Sequence, residues 1–285
     1  MQSQFQRNEG YFKGYKNESL FFQSWQKKDP ELNVIITHGM GEHSESYARL
    51  VSHFEPGNIS FFSWDLRGHG RSNGKRGYAA NFNDFVYDME IFLEEAFKTF
   101  NFKSPVILLG HSMGGLIQTK FLLTNPNKFK ISAQVLSSPL FGFSVAVPPI
   151  KDKAARLLYA TFPKVTLGNE LSPDMLTRDS SVMAEYEKDH LRHEMISSGI
   201  YLGMIDSFEM VFPRAHEITM PTFMQIAEKD PVVSSPKAKE FFELISSTNK
   251  RIIVYGDGAR HENYNDIHRE TVFLDLEKNL KGLVK

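Results

Sequence analysis

The sequence predicts an α/β fold in which helices cover both faces of a mostly parallel central sheet. Short apolar runs typical of buried strands alternate with longer amphipathic segments typical of helices. This alternation stops after residue 139, and the segment that follows shows helical patterns until about residue 212. We therefore expect a core formed by residues 1–139 and 213–285, with residues 140–212 inserted as a helical cap on top of the sheet.

The first half of the core is predicted to begin with a hairpin and to continue with alternating strands and helices. Apolar runs at 11–15 and 20–25 flank a short polar stretch, which is typical of a hairpin at a sheet edge. The clearest helix is expected at 82–100, where large apolar residues recur at spacings of three and four. The other elements predicted before the cap are strands at 34–37, 59–64, 105–109 and 131–136 and helices at 44–54 and 115–123.

The cap is expected to be entirely helical. Prolines and a glycine separate candidate helices at 150–161, 182–192 and 195–211, and no strand pattern is found between them. After the cap, the elements predicted are a strand at 222–227, a helix at 236–245, a strand at 251–255 and a closing helix at 268–280.

The composition is that of an ordinary globular protein, with 41% hydrophobic and 24% charged residues among 285. A net charge of −1 provides no basic surface for nucleic acid, and the absence of cysteine excludes disulfides and thiolate chemistry. The polar segment 1–10 and the lack of any apolar run of about 18 residues predict a cytoplasmic protein. Contact with a membrane surface stays open, and no oligomeric state is predicted.

Residues 110–114, Gly-His-Ser-Met-Gly, form a G-x-S-x-G motif between a predicted strand and a predicted helix. A turn this sharp strains its central residue, and flanking glycines avoid collisions with the neighbouring strand and helix. Ser112 is expected to project its hydroxyl above the sheet, at the N-terminus of the helix. Ser112 is therefore the candidate nucleophile.

A serine nucleophile needs a histidine to take its proton and a carboxylate to orient that histidine. In a sheet of this kind, the acid and then the histidine should follow the serine, each in a loop after its own strand. Asp230 follows the strand at 222–227, and His261 follows the strand at 251–255. Asp257 is a rival acid, but it lies in the same loop as the histidine. Asp230 and His261 are thus the predicted partners of the serine.

Two backbone amides are needed to stabilise the oxyanion, each worth about 3 kcal/mol in the transition state. One is expected from Met113, directly after the serine. The other is expected from Met40, which lies between two glycines just after the strand at 34–37. Glu42 and His43 follow in the same loop and are expected to support it rather than to perform chemistry.

Several motifs together resemble one known family. They are His-Gly-Met-Gly-Glu-His at 38–43, Asp-Leu-Arg-Gly-His-Gly-Arg-Ser at 65–72, the serine motif at 110–115, Ala-Arg-His-Glu at 259–262 and Phe-Pro-Lys-Val-Thr-Leu-Gly at 162–168. From about residue 11 to residue 280, the chain resembles the monoacylglycerol lipase and lysophospholipase branch of the α/β-hydrolase superfamily. The resemblance implies the α/β-hydrolase fold and a serine esterase whose cap forms an apolar channel for one acyl chain and can touch membranes.

By position, the resemblance implies that Ser112 is the nucleophile, His261 the general base and acid, and Asp230 its orienting carboxylate. It likewise implies that Met40 and Met113 donate to the oxyanion. The chain departs from mammalian members, which carry cysteines near the site, so sensitivity to thiol reagents is not carried over. Methionine at position 40 is also bulkier than the small residue often found there.

The expected reaction is hydrolysis of a single-chain lipid ester through an acyl-Ser112 intermediate, with monoacylglycerol as the leading substrate. Lysophospholipid hydrolysis and a general carboxylesterase activity stay open as alternatives. A non-catalytic binding protein would be expected to lack a member of the triad, and none is missing. The candidate substrate-binding residues are Gly39, Leu140, Phe141, Leu176 and Ile205.

Two further readings depend on polar residues in the cap. Glu185, Glu187 and Asp189 could hold a substrate amine, which keeps a peptidase of the same superfamily open. His190 and His193 are spaced as a metal pair would be, but no third ligand is evident. Neither a metal nor a cofactor is therefore predicted.

Overall fold

A computed structural model describes residues 5–284, and the strands it contains form one large and one small sheet. Residues 1–4 and 285, at the two ends of the predicted core, lie outside the described residues. The strands in chain order are β1 (Gln6–Lys13), β2 (Ser19–Gln26), β3 (Leu32–Thr37), β4 (Ile59–Trp64), β5 (Val106–His111), β6 (Ala133–Ser137), β7 (Thr166–Gly168), β8 (Met195–Ser197), β9 (Thr222–Ala227) and β10 (Lys250–Tyr255).

The large sheet has eight strands in the order β1-β2-β4-β3-β5-β6-β9-β10. β1 and β2 form an antiparallel hairpin, and β2 also runs antiparallel to β4. The other six strands, β4, β3, β5, β6, β9 and β10 in sheet order, are each parallel to their neighbours. The carboxyl ends of these strands therefore meet at one edge of the sheet. Loops that follow parallel strands converge at such an edge, which is where ligands bind in open α/β sheets.

Helices cover both faces of this sheet. The α-helices within residues 5–284 are α1 (Ala48–His53), α2 (Asn83–Phe100), α3 (Met113–Thr124), α4 (Pro149–Thr161), α5 (Pro173–Leu176), α6 (Ser180–Tyr186), α7 (Ser198–Arg214), α8 (Ser235–Leu244) and α9 (Arg269–Leu283), and short 3-10 helices lie at Tyr15–Asn17, Ser44–Tyr47 and Ala215–Glu217. α2, α3 and α8 contribute to the apolar cluster on one face, and α1 and α9 contribute to the cluster on the other. Side chains capable of capping begin several of them: Asp179 accepts from amides at the start of α6, and Ser234 accepts from the Lys237 amide in α8.

Two apolar clusters form the core, one on each face of the sheet. Alternate residues of β3 enter opposite clusters, because successive side chains of a strand point to opposite faces. Ile35 packs in the cluster that includes α2 and α3, whereas Val34 and Ile36 pack in the cluster that includes α1 and α9. The central strands β3, β4, β5, β6 and β9 are buried along their whole length, as expected for a sheet covered on both sides, whereas β1 at the sheet edge is mostly exposed.

The predicted mostly parallel sheet with helices on both faces is confirmed. The strands at 59–64 and 222–227 have the predicted bounds, and α2 begins one residue later than predicted. The hairpin is found, but its first strand begins at Gln6, five residues before the predicted start. α2 ends at Phe100, and the capping residue Asn101 has a φ of 45° in the left-handed region that asparagine tolerates. Apolar periodicity thus predicts the position of a long helix that packs against the sheet, such as α2.

The prediction that residues 140–212 contain no strand is wrong. β7 and β8 pair as a small antiparallel sheet, Thr166 with Ser197 and Gly168 with Met195. Each strand has only three residues, too few to produce a periodic pattern. The predicted helix at 195–211 therefore begins later, as α7.

The predicted helix at 182–192 is also too long, because α6 ends at Tyr186. The carboxylate of Asp189 accepts a hydrogen bond from the Leu191 amide at 2.9 Å, forming a local turn that competes with helical backbone bonds. The short helix α5 was not predicted. The division of the chain into core and cap stays a prediction.

Candidate active site

Ser112 lies at the sharp turn between β5 and α3. Its backbone has φ 52° and ψ −121°, a strained combination for a residue with a side chain. Gly114 allows this turn to form, because a Cβ atom at that position would lie 2.1 Å from the carbonyl oxygen of Thr37 in β3. The serine is thus held where the carboxyl ends of the parallel strands converge, at the N-terminus of α3.

Asp230 and His261 come together although they lie on different loops. His261 Nδ1 is 2.8 Å from Asp230 Oδ2, and both side chains are almost fully buried. The other carboxylate oxygen of Asp230 accepts from the amides of Val232 and Val233 at 2.8 and 3.0 Å. These two amides fix the direction of the carboxylate, so it presents one oxygen to the imidazole.

The rival acid Asp257 does not occupy this position. Its backbone has a φ of 53°, and its carbonyl oxygen accepts a hydrogen bond from Arg178. Among the described residues, the carboxylate that contacts His261 Nδ1 is that of Asp230.

The Asp230 carboxylate changes the proton affinity of the imidazole. Burial alone would lower the pKa of His261, but attraction to Asp230 and the hydrogen bond with it raise that pKa above its ordinary value. Burial alone would raise the pKa of Asp230, but attraction to His261 lowers it below its ordinary value. Asp230 is therefore ionised near neutral pH and holds the tautomer in which Nδ1 carries the proton, leaving Nε2 able to accept one.

Ser112 and His261 both line a cavity of about 560 Å³ at the carboxyl edge of the sheet. Within residues 5–284, no hydrogen bond joins the Ser112 hydroxyl to the His261 ring. Such contacts are often long in a site without ligand and shorten in the complex. The two side chains thus share one cavity.

The two predicted oxyanion donors come from two segments near the serine, the start of α3 and the loop after β3. Met113 is the first residue of α3, and an amide at that position has no acceptor within its own helix. Met40 follows Gly39, whose backbone passes so close to the serine that a Cβ atom at position 39 would lie 2.9 Å from Ser112 Cβ. Met40 lines the cavity, whereas the side chain of Met113 is fully buried in the core.

The cavity has an apolar side and a polar side. The apolar side chains include Leu140, Phe143, Leu171, Leu176, Ile196, Met204 and Val232. The polar side chains include Glu42, His111, Asn169, Tyr186, Glu187, Asp189, Arg192, His193, Glu194 and Glu262. Phe143 stacks on Tyr201 and pairs by a β-bridge with Val233, so the apolar side adjoins the Asp230 loop. A cavity of this kind can hold a ligand with one apolar and one polar end.

The predicted substrate-binding residues are only partly brought together. Gly39, Leu140 and Leu176 line the cavity, as expected of binding residues. Phe141 is 1% exposed and stacks on Phe241 with ring centroids 4.0 Å apart, so it packs in the core instead. Ile205 is also outside the lining. Its neighbour Met204 lines the cavity, because adjacent residues of a helix point about 100° apart.

Sequence reasoning missed the ion pair at the polar end of the cavity. Arg192 Nη2 lies 2.5 Å from Glu262 Oε1, and the Tyr186 hydroxyl donates to the other oxygen of the same carboxylate. Burial alone would raise the pKa of Glu262, but attraction to Arg192 lowers it to about 2. The only sequence signal was the charge of these residues, since about seventy positions separate Arg192 from Glu262.

The three cap carboxylates that could hold a substrate amine do not all line the same cavity. Glu187 and Asp189 line the cavity, but Glu185 forms an ion pair with Arg49 in a separate surface depression. Asp189 also lies 2.7 Å from His43 Nε2, which joins the predicted cap to the loop after β3.

The loop that carries His261 is held by the segment 175–178. The Glu262 amide donates to the Leu176 carbonyl at 2.9 Å. Arg178 donates to both oxygens of Asp266, a carboxylate with no exposed surface. Part of the predicted cap thus supports the position of the predicted general base.

Within the described part of the chain, no group of three or more His, Asp or Glu side chains is placed to hold a metal ion. None of the helices between residues 5 and 284 is both long and apolar enough to cross a membrane.

The fold and site define a hydrolase of the α/β-hydrolase superfamily, and comparisons with known proteins agree. The family model described as serine aminopeptidase, S33, matches residues 28–268. A monoglyceride lipase homolog of Monkeypox virus is 32% identical over 90% of this chain and 89% of its own length. A monoacylglycerol lipase of Mycolicibacterium smegmatis is 29% identical over 95% of both chains. The chain also spans 27% of the length of an uncharacterized abhydrolase domain-containing protein of Dictyostelium discoideum, with 27% identity.

Among solved structures, the monoacylglycerol lipase of Paleococcus ferrophilus superimposes with a TM-score of 0.79. It is 26% identical, and the match covers 97% of this chain and 98% of that one. The chain belongs to the monoacylglycerol lipase family of the α/β-hydrolase superfamily, and its enzyme class is that of the carboxylic ester hydrolases.

Proposed function

We propose that the chain hydrolyses the ester of single-chain lipids, with monoacylglycerol as the main substrate and free fatty acid and glycerol as products. The observation that carries this proposal is the two-sided cavity that holds Ser112 and the buried His261–Asp230 pair. The apolar side suits one acyl chain, and the polar side suits an alcohol with hydroxyl groups. The relatives from Mycolicibacterium smegmatis and Paleococcus ferrophilus are named monoacylglycerol lipases, which supports the same choice.

In the proposed mechanism, Ser112 Oγ attacks the ester carbonyl while His261 Nε2 takes the hydroxyl proton. The negative charge that develops on the carbonyl oxygen is stabilised by the amides of Met40 and Met113. His261 then donates the proton to the leaving alcohol, and an acyl group remains on Ser112. A water molecule then loses a proton to His261 Nε2 and attacks the acyl carbonyl. The bond between the acyl carbon and Ser112 Oγ breaks, His261 returns the proton to Ser112 Oγ, and the fatty acid is released. Asp230 stabilises the imidazolium formed in each half of the reaction.

A panel of esters tests the choice of substrate. Monoacylglycerols, lysophospholipids with the same acyl chain and short ethyl esters would be compared by kcat/KM with the purified full chain. We expect monoacylglycerol to be preferred over the matched lysophospholipid by about tenfold or more, because the polar end is rich in carboxylates and its arginine is already paired with Glu262.

Each alternative has its own outcome in this panel. A preference for lysophospholipid would identify a lysophospholipase, and equal rates on all esters would identify a general carboxylesterase. Faster cleavage of an aminoacyl amide than of any ester would contradict the proposal and favour a peptidase.

We further propose that the predicted cap contacts lipid surfaces through α4 and its neighbours. α4 has no buried residue, and its surroundings expose large apolar side chains. Ile150, Leu157, Phe162 and Leu167 are each more than half exposed. Contiguous exposed apolar side chains commonly mark interaction sites, and an amphipathic helix can lie in a lipid interface.

Sedimentation with phosphatidylcholine vesicles tests this contact. Replacing Leu157 and Phe162 together by glutamate should reduce the vesicle-bound fraction at least about threefold, because burying each apolar side chain contributes about 1.5–3 kcal/mol. Hydrolysis of a soluble ester should not change. Leu274→Glu is the matched control, since Leu274 is 59% exposed on α9, a helix of the predicted core. Equal binding by both variants and the wild type would contradict the contact.

A further inference from the structure

In the loop after β3, the backbone N–H and the backbone C=O of Gly39 are both hydrogen-bonded to side chains of neighbouring residues. Its amide donates to Glu42 Oε1 at 2.5 Å, and its carbonyl oxygen lies 2.7 Å from His38 Nδ1. His38 is fully buried and Glu42 is nearly so. A glycine with both backbone groups fixed by buried side chains has lost the freedom that glycine normally has.

The protonation state of His38 follows from its second contact. The Leu66 amide lies 2.9 Å from His38 Nε2, and since a backbone amide can only donate, Nε2 must be the acceptor. Burial lowers the pKa of His38 to about 4, so the ring is neutral near neutral pH. In a neutral ring whose Nε2 accepts, Nδ1 carries the hydrogen. His38 therefore donates to the carbonyl of Gly39.

This hydrogen bond determines where the next amide points. The carbonyl of Gly39 and the N–H of Met40 belong to one planar trans peptide unit, in which they point in opposite directions. Holding the carbonyl on His38 turns the Met40 N–H away from that ring. Gly39, Met40 and Ser112 all line the cavity, and the Gly39 backbone passes against the serine.

Glu42 acts on the other end of the same residue. Besides the Gly39 amide, Glu42 Oε1 accepts from the Tyr47 hydroxyl at 3.0 Å, so the carboxylate is itself held from outside the loop. Burial and repulsion from Glu262 raise the pKa of Glu42 to about 7. A fraction of Glu42 is therefore protonated at neutral pH, which reduces negative charge near the place where an oxyanion would form.

We propose that Glu42 and His38 are positioning residues that clamp the Gly39 peptide from both sides and thereby aim the Met40 N–H at the reacting oxygen. The inference depends on the proposed function, because it concerns the oxyanion of the Ser112 reaction. Neither side chain touches the substrate in this role. Each acts through the backbone of Gly39, so its loss weakens transition-state stabilisation more than substrate binding.

Glu42 variants of the full chain test the clamp. With p-nitrophenyl butyrate, we expect Glu42→Ala to lower kcat by about 10–100-fold and to change KM by less than about threefold. The inhibition constant of butylboronic acid, which forms a tetrahedral adduct with a serine hydroxyl, should rise by a similar factor. Glu42→Gln keeps the acceptor oxygen and should remain within about threefold of the wild type in kcat. Glu45→Gln is the matched control, because Glu45 lies in the adjacent turn and pairs with Arg7 at the surface.

If Glu42→Ala does not fold, Glu42→Asp tests the same contact. Glu42→Asp retains the charge but shortens the side chain, so kcat should fall about tenfold while the far-UV circular dichroism stays unchanged. A kcat that is unchanged in the alanine or aspartate variant, an equal loss in the alanine and glutamine variants, or a change confined to KM would overturn the inference. If the wild type hydrolysed no ester, the proposed function would fail, whereas boronic acid binding would still report on the clamp.

Discussion

Replacing Ser112 by alanine is expected to lower kcat on monoacylglycerol by about 10⁴–10⁶-fold, because the proposed acyl intermediate forms on the Ser112 hydroxyl. Alanine retains the Cβ atom, so the strained backbone at φ 52° and the packing of α3 against β3 should be preserved. The melting temperature should consequently change by only a few degrees. The measurement is the initial rate of fatty acid release, compared at equal concentrations of folded protein.

The matched control for this variant is Ser144→Ala. Ser144 is an exposed serine whose hydroxyl donates to the Pro231 carbonyl, and it does not line the cavity. Its activity should stay within about twofold of the wild type. A Ser112→Ala variant that kept more than a tenth of the wild-type rate would show that the serine is not the nucleophile.

Replacing Asp230 by asparagine is expected to lower kcat/KM by about 10²–10⁴-fold and to shift the pH profile to lower values. The free enzyme is active when His261 is neutral, so kcat/KM rises as pH increases through the pKa of His261. In the wild type, Asp230 raises that pKa against the effect of burial, and we expect a midpoint above about 6.5. In the variant, burial acts without the Asp230 charge, and the midpoint should fall.

Asp257→Asn distinguishes this effect from a general loss of negative charge near the histidine loop. Asp257 lies in the loop that carries His261, but the contact to Nδ1 is made by Asp230. The Asp257 variant should keep both its rate and its midpoint. An Asp230→Asn profile with the wild-type midpoint would contradict the assigned electrostatic role, even if the rate fell.

The sequence was informative where a feature depends on chain order or on long apolar patterns. Strand β9 was predicted with correct bounds, and the sheet order explains why loops after β5, β9 and β10 converge. The proximity of Asp230 and His261 could be anticipated because each follows its own parallel strand. Convergence of such loops is a property of the sheet rather than of individual side chains.

Features that depend on contacts between distant side chains could not be predicted. The pairing of Arg192 with Glu262 joins two loops about seventy residues apart, and nothing in either local pattern indicates the other. Phe141 was expected in the cavity because it is apolar and adjacent to Leu140, yet it faces Phe241 in the core. The clamp on Gly39 likewise depends on hydrogen-bond directions that only coordinates provide.

The central claim is that Ser112 becomes acylated during turnover. The most direct test is peptide mapping by mass spectrometry after the protein has reacted with a fluorophosphonate ester, which phosphonylates an activated serine and releases fluoride. We expect one modified peptide, with the added mass on Ser112, and no modification in the Ser112→Ala variant. Modification of a different serine, or equal labelling of the Ser112→Ala variant, would contradict the assignment.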